Sequence, residues 1–93
     1  MTEKKRVVAH FDGRVQGVGF RFATVDLAER FPEITGFVKN LRDGRVEIVA
    51  EGTEQDLAEF ISAVGRAMRA YVSNADKRYM EATGEFSDFG IAR

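Results

Sequence analysis

Three observations on this chain of 93 residues predict an α+β fold. Two stretches carry apolar residues at helical spacing, each lies between runs rich in β-formers, and Gly- or Pro-containing turns separate them. Read in order they give β-α-β-β-α-β with one short further strand. Helices that each cross over between strands pack on one face of an antiparallel sheet, the ferredoxin-like split βαβ arrangement.

Residues 5–12, Lys-Arg-Val-Val-Ala-His-Phe-Asp, read as the first strand. Beyond the loop that follows, Thr24, Leu27, Ala28 and Phe31 fall on one face of a helix expected over residues 22–31, which Pro32 stops. Gly36-Phe-Val-Lys-Asn-Leu41 and Arg45-Val-Glu-Ile-Val-Ala-Glu51 are the next two strands, and Asp43-Gly44 between them is a hairpin signal. In the second of these Val46, Ile48 and Ala50 form a buried face, opposite a mostly wet face of Arg45, Glu47, Val49 and Glu51. Thr53, three residues before Asp56, reads as the N-cap of a second helix whose apolar stripe is Leu57, Phe60, Ile61, Val64 and Met68. Residues 71–82 and 86–92 read as a fourth strand and a terminal one, with Thr83-Gly84 between them.

The chain is long enough for one core, so residues 1–93 are read as a single domain without repeat or linker. With no cysteine and one histidine, disulfides, thiolate catalysis and Cys-ligated metals are excluded and no cofactor is expected. No segment approaches the ~20 apolar residues of a membrane helix, and the apolar run behind the basic N-terminus is too short for a signal peptide. A cytoplasmic protein with no membrane partner is expected. A net charge of −1 argues against a broad nucleic-acid surface. Arg14, Arg21, Lys39, Arg42 and Arg45 are nonetheless expected to gather into a patch suited to a small anion.

The chemistry concentrates in Gly13-Arg-Val-Gln-Gly-Val-Gly-Phe-Arg21, between the first strand and the first helix. Glycine reaches positive φ, so Gly17 and Gly19 can turn successive N–H groups toward one point. The helix adds free N–H groups and the positive end of its dipole. A cation at position 21 is unfavourable there unless an anion lies between it and the helix end. The loop lacks the Gly-Lys-Ser/Thr end of a P-loop and the G-x-G-x-x-G of a dinucleotide turn. On these grounds alone it is either an anion cradle or an ordinary glycine turn.

The same segment, together with Gly36-Phe-Val-Lys-Asn-Leu-Arg-Asp-Gly-Arg-Val46 closed by Gly52, resembles the two signature motifs of the acylphosphatase family. Thr83-Gly-Glu-Phe-Ser-Asp-Phe-Gly-Ile91 resembles its C-terminal strand, so the likeness runs from about residue 7 to residue 91. It implies the ferredoxin-like fold and metal-free hydrolysis of carboxyl-phosphate anhydrides, with a small acyl phosphate as substrate. It also implies that Arg21 binds the phosphoryl group, that the backbone amides of Arg14, Val15, Gln16, Gly17, Val18, Gly19 and Phe20 share it, and that Asn40 holds the attacking water. A monomer is the default.

These assignments agree with the residue types. Arginine presents a planar fork of donors that matches phosphate oxygens. Fixed amides stabilise charge without reorganising during reaction. Asparagine is too weak a base to take a proton, so Asn40 can only orient water, and the proton can leave through a substrate oxygen. The competing readings are an Arg21 ion pair to Asp26 or Glu29 and a merely strand-ending Asn40. His10 reads as structural, and Gln16 and Lys39 as either ligand contacts or loop-shaping residues.

Four departures from the family pattern stand out: Phe11, Phe37, a connection at Pro32-Glu-Ile-Thr35 one residue longer, and Gly65-Arg-Ala-Met in place of a Gly-Pro turn. The last leaves open whether the second helix runs on. Two other functions compete. RNA-recognition domains share the element order but stack bases on third-strand aromatics, and residues 45–51 contain none. A non-hydrolytic domain of the kind found in hydrogenase-maturation carbamoyltransferases belongs to much longer, zinc-binding chains.

Overall fold

The computed structural model describes residues 3–93. The elements are β1 (Lys4–Gly13), α1 (Phe20–Ala28), β2 (Thr35–Asn40), β3 (Val46–Thr53), α2 (Glu54–Ala67), β4 (Val72–Glu81) and β5 (Phe89–Ile91). They form one sheet ordered β4-β1-β3-β2-β5. The three pairs among the first four strands are antiparallel, and β5 adds to β2 in parallel, so the sheet is mixed rather than purely antiparallel. This is the expected ferredoxin-like fold.

Alternation selects the faces. Val7, Ala9 and Phe11 of β1, Val38 of β2 and Val46, Ile48 and Ala50 of β3 point to one side and are buried. Onto them pack Phe20, Thr24 and Ala28 of α1 and Leu57, Phe60, Ile61 and Val64 of α2. Edge-to-face contacts of Phe60 with Phe31 and Phe89, at 5.8 and 5.3 Å between ring centroids, extend this core toward β5.

Helix boundaries follow local chemistry. The α2 N-cap is Thr53, whose Oγ1 accepts from the Asp56 N–H at 3.1 Å. Its apolar stripe is buried as expected, and the helix runs on through Gly65 to Ala67. α1 begins at Phe20, two residues before the expected start, because Gly19 caps it in a left-handed conformation. It ends at Ala28, and tight turns in which Arg30 N–H donates to Leu27 and Phe31 N–H to Ala28 carry Phe31 back to the core. Thr24 is buried without penalty because its hydroxyl donates to the Phe20 carbonyl at 2.8 Å.

The connection from β4 to β5 must pass from one sheet edge to the other, and it crosses the face opposite the helices. Glu51 anchors it there. Expected on a wet face, Glu51 is only 3% exposed, and its carboxylate accepts from Arg6 Nε (2.8 Å), Thr83 N–H (2.9 Å) and Gly84 N–H (2.9 Å). Burial alone would push its carboxyl up, but the two amides and the guanidinium outweigh it and hold the group at about 2. Arg6 also donates to Thr83 and Glu85 and lies over the Phe86 ring, which in turn packs on Phe37.

Candidate functional site

β1 ends at Gly13, and the chain then loops back to start α1. Val15 is fully buried and pins the loop to the core. Gln16 ties it to the β2–β3 turn, its Nε2 donating to the carbonyls of Leu41 (2.8 Å) and Arg45 (3.0 Å). Between these anchors Gly17 and Gly19 sit at φ 78° and 81°. A Cβ at either would meet nothing within 4 Å, so glycine is demanded by backbone conformation rather than by space. Among the described residues the amides from Gln16 to Phe22 have no backbone acceptor, whereas the Arg14 amide donates to the Tyr71 carbonyl at 2.9 Å. The Arg14 N–H is therefore engaged within the protein, unlike those of Gln16 to Phe22.

The first turn of α1 holds no acidic residue, which leaves the positive end of the helix uncompensated. Arg21 lies in that turn, half-buried, and forms no ion pair with Asp26, Glu29 or any other described residue. Opposite it stands Asn40, the last residue of β2, paired with Val46 of β3. Asn40 Oδ1 is buried and has no hydrogen-bond partner. An orphaned buried acceptor costs about 1–3 kcal/mol, a cost that a donor such as water reaching it from the cavity would offset.

A cavity of about 250 Å³ joins these parts, lined by Val15, Gly17, Gly19, Phe20, Arg21, Phe22 and Asn40. Of the residues singled out from sequence for the site and its positive patch, Arg14, Gln16, Val18, Lys39, Arg42 and Arg45 do not line it. Phe22 was missed: it lines the cavity and is 69% exposed, and its only sequence signal was a place directly after Arg21 in the first helical turn. The positive patch is thinner than expected, since Arg45 Nε pairs with Asp43 Oδ2 at 2.9 Å. His10 lies elsewhere on the sheet, its Nε2 2.9 Å from Glu47 Oε2 and its Nδ1 3.6 Å from Asp76 Oδ1. A larger groove of about 360 Å³ lies between the helices, lined by residues such as Arg30, Phe31 and Ser62, and contains neither Arg21 nor Asn40. Among the described residues no three His, Asp or Glu side chains cluster so as to hold a metal.

The arrangement offers a guanidinium, unpaired amides and a helix N-terminus converging on one cavity, with an unsatisfied acceptor on its wall. Such a site can hold a phosphoryl-like anion and place a water beside it.

Comparison with known proteins agrees with this chemistry. Residues 7–91 match the family model described as Acylphosphatase. A curated acylphosphatase of Caldanaerobacter subterraneus subsp. tengcongensis is 42% identical over 89 residues, covering 95% of this chain and 98% of the relative. One from Methylococcus capsulatus is 41% identical, with 96% and 97% covered. The crystal structure of the acylphosphatase from Bacillus subtilis superposes with a TM-score of 0.85 at 34% identity, covering 96% and 99% of the two chains.

Proposed function

Since the chain belongs to the acylphosphatase family and hydrolyses acyl phosphates to carboxylate and inorganic phosphate, we propose that Arg21, the loop amides and Asn40 carry out that reaction. Arg21 and the amides from Gln16 to Phe20 hold the phosphoryl oxygens; Asn40 Oδ1 accepts a hydrogen bond from the water and aims its oxygen at phosphorus. The observation that carries this reading is the buried, unpartnered Oδ1 of Asn40 on the wall of the cavity that Arg21 also lines.

The step balances without a side-chain base. The water oxygen bonds to phosphorus, the bond from phosphorus to the acyl oxygen breaks, and its electron pair leaves with the carboxylate. Both water protons finish on phosphate, so a dianionic acyl phosphate gives one carboxylate and one dihydrogen phosphate. Arg21 and the amides spread the charge on the equatorial oxygens, which in this reading replaces a metal. Every group assigned to the reaction lies on one chain, so a monomer would suffice for it.

The test is hydrolysis of benzoyl phosphate, followed by absorbance in EDTA. Arg21→Ala is expected to lower kcat/KM by about a thousandfold or more, and Asn40→Ala to lower kcat by about a hundredfold. Unaltered turnover in either variant would remove that residue from the reaction.

A further inference from the structure

A second cavity, of about 490 Å³, adjoins the first and shares two of its walls, Arg21 and Phe22; Ile91 and Arg93 supply the others. We propose that this cavity is the acyl-group subsite, and that it selects acyl phosphates whose acyl group has an apolar stem ending in an anion such as a carboxylate. The inference rests on the reading above, in which the phosphoryl group occupies the cavity of Arg21 and Asn40.

Three observations support it. The first is topological. β5 lies parallel to β2 with Ile91 opposite Val38, and the Ala92 N–H donates to the Val38 carbonyl at 2.9 Å. Two residues further along these parallel segments come Asn40 and Arg93. The short edge strand thus delivers Ile91 and Arg93 to the end of β2 that bears the candidate water-positioning residue.

The second is exposure. Phe22 is 69% and Ile91 39% exposed, and the core does not account for either. Both flank one cavity beside the phosphoryl site, where an apolar substrate stem would cover them. The third is charge. Arg93, like Arg21, has no ion-pair partner among the described residues. With Arg21 engaged by the phosphoryl group, Arg93 remains as the cation facing the far end of the acyl group.

The experiment compares kcat/KM for acetyl, benzoyl and para-carboxybenzoyl phosphate, the last two differing only in the distal carboxylate. Arg93→Gln is expected to lower the carboxybenzoyl-to-benzoyl ratio about tenfold, the worth of one charge-assisted hydrogen bond, and Arg93→Lys to recover part of it. Phe22→Ser is expected to lower the benzoyl-to-acetyl ratio several-fold. Ratios that do not move, or an Arg93→Gln loss equal for both aromatic substrates, overturn the subsite while leaving the hydrolytic roles of Arg21 and Asn40 standing. Absence of wild-type turnover on all three substrates overturns both.

Discussion

In the role proposed for Arg21, the geometry of the side chain matters more than its charge. A guanidinium donates in a fixed plane to two phosphoryl oxygens, whereas an ammonium acts as a point charge. Arg21→Lys should therefore recover only a small part of the activity that Arg21→Ala loses, measured as kcat/KM on benzoyl phosphate. Asn40 differs, because in the proposed mechanism its amide meets the water and not the substrate anion. Its loss should fall on kcat with KM little changed, which steady-state kinetics resolves. The proposed step uses no side-chain base, so the pH–rate profile between about pH 5 and 8 should be flat. A limb that disappears in His10→Gln would instead make His10 the base, against its position beside Glu47 and Asp76. Sequence revealed Arg21 and Asn40 through their motifs. It hid Phe22 because periodicity reports which residues face a core, and an exposed aromatic beside a cavity leaves no periodic trace.

The elements depend on two contacts that the sequence shows unequally. Gly36, the second residue of β2, sits at φ 140°, and a Cβ there would collide with the Val49 carbonyl of β3 and come within 2.8 Å of Ala50 Cα. Gly36→Ala should cost about 3 kcal/mol, seen as a lower denaturant midpoint at unchanged slope. The second contact is Glu51 beneath the crossing segment. Its folded carboxyl is held at about 2 against an ordinary 4.5, so it stabilises the fold above pH ~4.5. That contribution is lost as pH falls from about 4.5 toward 2. Glu51→Gln should cost about 2 kcal/mol at neutral pH and flatten the acid limb of stability, which denaturant titrations at several pH values would reveal. Strand alternation assigned Glu51 to the face away from the helices, which is where it lies, but it expected that face to be wet and Glu51 is buried there. What alternation could not foresee was the long-range connection that covers it, because the partners at Thr83 and Gly84 are fixed by sheet order. The same limit applies to β5, whose parallel pairing depends on the route by which the chain returns.

For the whole molecule, the proposed phosphate site would link ligand binding to the stability of the fold. A ligand that binds only the native state stabilises it by RT ln(1 + [L]/Kd), about 2.7 kcal/mol when free ligand is a hundred times Kd. In a domain of this size each kcal/mol moves the melting temperature by about 4–8 °C. Saturating orthophosphate should therefore raise the melting temperature of the wild type by roughly 10–20 °C. Arg21→Ala should melt at the same temperature with or without phosphate. Asn40→Ala should keep most of the shift, since its side chain is assigned to the water and not to the anion. Differential scanning calorimetry at matched ionic strength, with chloride replacing phosphate, separates this from general salt effects. An equal shift in Arg21→Ala would mean that the loop does not hold the phosphoryl group through Arg21. A shift abolished in Asn40→Ala would move that residue from the water to the anion, and the division of labour across the cavity would have to be redrawn.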